Sequence, residues 1–299
     1  MTGNDAGTTI KASLGLPNWL PRTPGSTLVD LAVGAEELGF ASVGTISRIV
    51  FDSYEELITL AACAGATKRI GLATTVMIAP ARDTALLAKQ AASLDGLSGG
   101  RFELGLGVGW RDDDYIRTGS ADRFDHRGRV LEQQIVELRA TWSTDITLRP
   151  DELGPATLTP GGPPILVGAF TPTALKRAGR LADGLVAVGL PPAAMQQMHA
   201  TVNAARHESG RTGSARFVAC QYIALGPDIA ERAEANIASY YSFGGDALVR
   251  ATIAGTLRTA DEVRAAHRDL AGVGVEEVFY FPTVADDSQL SRLATALAG

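Results

Sequence analysis

Apolar positions along the chain follow two alternating rhythms. Short runs rich in apolar and β-branched residues occur at Ile10 to Leu16, Ser42 to Thr45, Ile70 to Ile78, Phe102 to Val108, Ile165 to Phe170, Gly184 to Val188, Phe217 to Leu225 and Val275 to Phe281. Runs of this length between turn residues read as strands. The stretches between them place apolar residues three and four apart, the spacing of a helix that buries one face. Strands alternating with helices pair in parallel through helical crossovers, and eight such units suffice to close a (β/α)8 TIM barrel. The predicted fold class is therefore α/β, a TIM barrel with insertions, with residues 1–299 as a single domain.

Two helices carry their boundaries in the sequence. Asp83 stands where an N-cap belongs, ahead of Leu86, Leu87, Leu94 and Leu97, and Ser98-Gly99-Gly100 supplies the stop, because glycine accepts the left-handed conformation that ends a helix. Leu131, Ile135, Leu138 and Trp142 share one face of a second helix, with Arg127, Arg129, Glu132 and Glu137 available for its polar side. The interval from Val108 to Ile165 is too long for that helix alone. Arg111 to Asp125 forms a polar insertion before it, and Ser143 to Pro163 a Pro/Gly-rich linker after it. Loops at the C-terminal ends of barrel strands build active sites, so the first insertion is expected to be a lid or pocket wall.

Composition narrows the function classes. With 45% hydrophobic and 20% charged residues the chain is an ordinary globular sequence. A formal charge of −6 gives no broad basic surface, so no nucleic-acid partner is expected. No apolar run reaches the roughly 18 residues a spanning helix needs, and the first residues lack a signal-peptide pattern; the expectation is a cytoplasmic protein with no membrane partner. Cys63 and Cys220 read as core residues, and His126, His199, His207 and His267 lack the spacing of a metal site.

The segment GGRFELGLGVGW places Gly105, Gly107 and Gly109 at alternate positions, on the strand face opposite Leu104, Leu106 and Val108. A strand bare on one face admits a flat ligand, or equally a neighbouring side chain. The spacing is not that of a dinucleotide fingerprint. Gly168, Ala169 and Phe170 lead to Thr171 and Pro172, an N-cap and first helical position whose free N–H groups suit a phosphate or simply begin a helix. Thr74, Thr75 and Val76 close the third strand at the same end. Asp112, Asp113 and Asp114 diverge as neighbours and are assigned no metal. Trp19, Tyr240, Tyr241 and Phe243 follow strands one and seven, where the more exposed loop aromatics are the candidates for substrate contact; in the last strand Phe279 and Phe281 face away from Tyr280.

Taken together, these residues resemble the luciferase-like monooxygenase superfamily, whose members use a flavin or the deazaflavin F420. The resemblance covers nearly the whole chain. It runs through Leu60 to Thr75, Leu87 to Gln90, Leu94 to Arg101, Leu104 to Trp110, Arg127-Gly128-Arg129 with Glu132 and Trp142, and Ala182-Asp183-Gly184. It implies a bacterial-luciferase-like barrel with the cofactor ring over the C-terminal strand ends and a cis peptide at Thr75-Val76. The implied cofactor residues are Thr75, Val76, Gly107, Val108, Gly109, Gly168, Ala169, Phe170 and Thr171, the last four toward the phosphate. Reduced FMN is favoured, with F420 the alternative. The resemblance also implies a cofactor reduced either by a separate flavin reductase or within the site, and a homodimer, acting on a small organic substrate that Trp19, Arg48, Tyr240 and Tyr241 are placed to meet.

One departure matters. Relatives often carry a histidine after strand two, whereas this chain reads Thr45-Ile46-Ser47-Arg48-Ile49-Val50-Phe51-Asp52. No catalytic acid or base is therefore assigned, and a non-catalytic flavin-binding protein stands as the alternative to a monooxygenase or an F420-dependent hydride-transfer enzyme. A barrel hydrolase or aldolase would need a strand-end lysine or carboxylate pair, for which there is no clear candidate.

Overall fold

A computed structural model describes residues 10–143 and 153–299. In chain order the elements are β1 (Lys11–Gly15), α1 (Gly25–Glu37), β2 (Ser42–Thr45), α2 (Glu56–Ala66), β3 (Gly71–Thr74), β4 (Met77–Ile78), α3 (Thr84–Ser98), β5 (Phe102–Gly107), α4 (Asp112–Arg117) and α5 (Arg127–Trp142). They continue with β6 (Ile165–Gly168), α6 (Pro172–Leu181), β7 (Gly184–Val188), α7 (Pro192–Glu208), β8 (Arg216–Ile223), α8 (Ala230–Tyr241), α9 (Gly245–Ala254), α10 (Ala260–Gly272), β9 (Glu277–Pro282) and α11 (Ser288–Ala298). Every strand pair is parallel. The order β3-β2-β1-β9-β8-β7-β6-β5-β4 closes on itself because β3 also pairs with β5. Since β3 and β4 are halves of one stave, the result is an eight-stave (β/α)8 TIM barrel, as the strand rhythm predicts.

The predicted helix signals hold. Asp83 accepts from the Leu86 N–H at 2.8 Å, and Gly99 closes α3 in the left-handed region at φ 69°. Leu131, Ile135, Leu138 and Trp142 are all buried along α5. The first insertion folds into α4 and a 3₁₀ turn over Ala121–His126. Of the linker from Ser143 to Pro163, residues 144–152 lie outside the described residues. Among the described residues no helix is long and apolar enough to cross a membrane, and no cluster has a metal-binding arrangement.

Period-two alternation divides the core. Leu14, Val43, Leu72, Leu104, Leu106 and Tyr280 join the cluster beneath the helices, whereas Ala73, Leu166, Val186, Val218, Cys220, Phe279 and Phe281 fill the barrel. Large and small residues interlock there: a Cβ on Gly15 would lie 2.2 Å from the Phe281 ring, and one on Gly44 2.6 Å from Phe279. The N-terminal end of the barrel is plugged by charge. Arg216 pairs with Glu103 at 2.6 Å and with Glu277, which also takes a hydrogen bond from the Ser13 hydroxyl. Both cysteines are buried and unbridged.

Candidate functional site

The third stave changes register partway along. Leu72 and Ala73 face Phe102 and Glu103, but Met77 and Ile78 face Leu106 and Gly107, so Thr74, Thr75 and Val76 oppose only Leu104 and Gly105. One extra residue makes this a bulge, a device that re-aims side chains. The Thr74 hydroxyl fills the interrupted ladder, donating to the Gly105 carbonyl at 2.7 Å and accepting from its N–H at 2.8 Å. The Thr75-Val76 peptide is cis, at the position the resemblance implies. The Thr75 N–H donates to the Thr45 carbonyl at 2.7 Å, while Val76 packs with the cluster inside the barrel.

This bulge explains the bare face of β5. A Cβ on Gly105 would lie 1.9 Å from the Thr74 carbonyl oxygen, and one on Gly107 2.6 Å from Val76 Cγ2. The space the glycines leave is taken by the third stave, so the packing account of the stripe holds, with Val76 packed directly over Gly107. Gly168, on the next stave, approaches the same side chain: its Cβ would be 3.1 Å from Val76 Cγ2. Gly109 lies beyond the strand at φ 64°, beside Ile78, and the Val108 carbonyl accepts from the Tyr115 hydroxyl at 2.5 Å. That bond fastens α4 to the end of β5.

From Gly168 the chain runs through buried Ala169 and exposed Phe170 to Thr171, whose Oγ1 accepts from the Ala174 N–H at 3.3 Å as the N-cap of α6. Thr171, Pro172 and Thr173 are exposed. Val76 and this helix start therefore lie along one continuous edge, joined by the three residues after β6.

Aromatic rings crowd the same inner cluster. Trp19 is completely buried, edge-on to Tyr222 at 5.3 Å and to Tyr240 at 5.1 Å between centroids. Trp19 and buried Tyr240 thus belong to the barrel's inner cluster and are not the exposed loop aromatics expected, because the segment after β1 folds over the mouth. The Tyr240 hydroxyl donates to the Ser47 carbonyl at 3.2 Å. Tyr241 and Tyr222 share a hydroxyl contact of 2.6 Å. Arg48 is held as well: Nη1 donates to the Tyr240 carbonyl at 2.6 Å, Nη2 to Val50 at 3.2 Å, and its guanidinium lies 4.3 Å over the Phe51 ring. Burial and then the charge of Arg111 lower its pKa. With both terminal nitrogens on backbone carbonyls, Arg48 fastens the loop after β2 to the end of α8. Outside these rings Trp110 sits between Phe170 at 6.5 Å and Phe243 at 6.2 Å.

The family model for luciferase-like monooxygenases matches residues 8–279. The chain belongs to the luciferase-like monooxygenase family. It is 32% identical over 232 residues to the 4-hydroxyprotoasukamycin monooxygenase of Streptomyces nodosus subsp. asukaensis, covering 70% of this chain and 57% of that protein. The chain spans about half the length of the curated relatives it matches. Its fold is similar to the monooxygenase RslO1 from Streptomyces bottropensis, with a TM-score of 0.75 at 23% identity over 97% of each chain. It is similar also to an F420-dependent secondary alcohol dehydrogenase in complex with an F420-acetone adduct, with a TM-score of 0.79 at 17% identity over 96% of this chain and 98% of that one.

Within this luciferase-like barrel two residues escaped the sequence reading. Tyr222 sits two positions after Cys220, and alternation alone would have carried it to the inner face at the mouth. Asp114 lies in an acidic triplet that gives no sign of burial, yet its carboxylate accepts from the Ile49 and Val50 N–H groups at 3.0 and 2.7 Å. It ties the first insertion to the loop after β2, while Asp113 pairs with Arg111.

Proposed function

We propose that the chain is a flavin-dependent oxidoreductase, a monooxygenase using reduced FMN and oxygen on a small organic substrate. The observation that carries this reading is the continuous edge from Val76, seated over Gly107 and beside Gly168, to the exposed start of α6 at Thr171. A flat ring fits against the Val76 and Thr75 backbone with Val108 and Gly109 at its border, and a phosphate fits the segment Gly168 to Thr171 and the Thr173 N–H at the start of α6, where Pro172 has no N–H and the Ala174 N–H is already on the Thr171 hydroxyl. Bound there, the flavin supplies the redox chemistry. The chain's own residues then orient and shield: Val76 supports, the α6 start holds the anion, and Trp110, Phe170 and Phe243 restrict water at the mouth.

FMN is favoured over F420 by the state of the arginines that an anionic tail would need. Arg48 is held on carbonyls, Arg82 pairs with Glu55 and Glu56, Arg111 with Asp113 and Arg177 with Glu132. A separate reductase would deliver the reduced cofactor. A homodimer is proposed through the α2 and α3 face, where Ile58, Leu86 and Leu97 are exposed apolar residues on two helices packed together.

Equilibrium titration tests the cofactor reading. FMN is expected to bind, and Thr171→Asp to weaken FMN far more than riboflavin, which lacks the phosphate. Equal losses for both would remove the phosphate from α6. Tight, salt-sensitive F420 binding without FMN binding would overturn the choice of cofactor.

A further inference from the structure

Hydrogen-bond accounting at the inner aromatic wall leaves donors without acceptors. The Trp19 Nε1 is buried and has no hydrogen-bond partner among the described residues. An indole nitrogen can only donate. Beside it, the Tyr222 and Tyr241 hydroxyls meet each other at 2.6 Å, and either one can be the donor. Each phenol carries one hydrogen, so their mutual bond uses one of the two. The other has no protein acceptor among the described residues. Tyr240 differs, because its hydroxyl is committed to the Ser47 carbonyl.

Burial raises the pKa of both phenols in the pair, that of Tyr241 to about 12 and that of Tyr222 well above its ordinary value. Both protons therefore stay in place at neutral pH, and the pair is a donor there and not a base. The indole N–H and the spare phenol hydrogen are thus two uncommitted donors within one ring cluster. Its walls are flat: Trp19 lies edge-on to Tyr222, and Tyr222 lies 6.0 Å from Tyr241. Tyr241 is half-buried, and its ring row continues through Phe243 at 6.1 Å to exposed Trp110, from the barrel interior to the surface.

We infer that Trp19, Tyr222 and Tyr241 set substrate specificity by donating hydrogen bonds to a carbonyl or phenolic oxygen on a planar, ring-bearing substrate. This rests on the barrel mouth being the substrate site of the proposed oxidoreductase. It adds the substrate's chemistry: a flat apolar body with an oxygen acceptor at its inner end.

The test uses 1-indanone and indane, which differ by one carbonyl oxygen. Calorimetric titration is run on the cofactor-free chain and again at saturating FMN, so that failure of FMN to bind is read separately from failure of the subsite. The ketone is expected to bind about tenfold tighter than the hydrocarbon, the effect of one well-made hydrogen bond. Trp19→Phe, and Tyr222→Phe with Tyr241→Phe, should each shrink that ratio toward one by weakening the ketone alone. The double change is needed because a single phenylalanine still leaves one phenol donor. Indane affinity serves as the folding control in each variant. Equal affinity for the two probes in the unaltered chain, no binding of either, or a ratio unchanged in both variants would overturn the inference.

Discussion

Val76 and Gly107 show how a backbone choice on one stave answers a side chain on another. The glycine has no room for a Cβ because Val76 Cγ2 would lie 2.6 Å away. Gly107→Ala should therefore cost about 1–3 kcal/mol by overpacking, and Val76→Ala in that background should recover much of it. Urea unfolding of the four proteins in this cycle measures the coupling; simple additivity would show that the two positions do not share the space. Val76→Ala alone should also weaken FMN, since the ring then loses its support. At this scale some of the site is legible in the sequence. Thr171 announces itself because capping is decided within four residues. Arg48 does not, because its partner carbonyl on Tyr240 is 192 positions away. Whether Trp19 is exposed depends on how the segment after β1 folds back, which no local pattern records.

Elements are joined by single side chains placed at their ends. The Glu36 carboxylate at the end of α1 accepts from the N–H groups of Lys68, Arg69 and Ile70, with Arg69 at 2.5 Å and Ile70 at 2.8 Å. Partial burial opposes the charge, but these backbone bonds outweigh it and lower its pKa from 4.5 to about 2. A depressed carboxylate contributes stability above its unfolded pKa and loses it as pH falls through the folded value. Replacing Glu36 by Gln should thus cost about 1 kcal/mol at neutral pH, discounted for partial exposure. The gap should close between pH 4.5 and about 2, which thermal melts at stepped pH would record; a gap independent of pH would assign the loss to geometry alone. The strands and the helices α3, α5 and α6 were legible because hydrophobic period and caps are local, whereas α4 and α9 were not marked. The break in the third stave was not legible from period: Ile70 to Ile78 reads as one strand, and only the resemblance marked Thr75-Val76.

Across the whole molecule the two ends of the barrel are built from different materials. The C-terminal end holds rings and donors, whereas the N-terminal end is closed by Arg216 between Glu103 and Glu277. Burial raises the Glu103 pKa against the attraction of Arg216. Removing the cation leaves carboxylates without their partner, so Arg216→Met should destabilise by about 3–5 kcal/mol, the usual result of breaking a buried pair from one side. FMN affinity should remain, because the plug lies at the far end. Denaturation with a parallel FMN titration checks both halves; a large loss of affinity in the folded variant would mean that the two ends are coupled. Closure itself was legible from eight repeated units, but this plug was not, since Glu103, Arg216 and Glu277 lie on three separate strands and look individually like surface charges.

The placement of Trp110 also has an optical consequence. The chain has three tryptophans; Trp19 and Trp142 are 0% and 7% exposed, while Trp110 is 59% exposed at the mouth. Emission therefore divides by colour, with the two enclosed indoles in an apolar medium emitting toward the blue and Trp110 in water toward the red. Iodide reaches only the red component. A chromophore settling at the mouth would dim that component first, so light from a single indole gauges occupancy of the site without any added label.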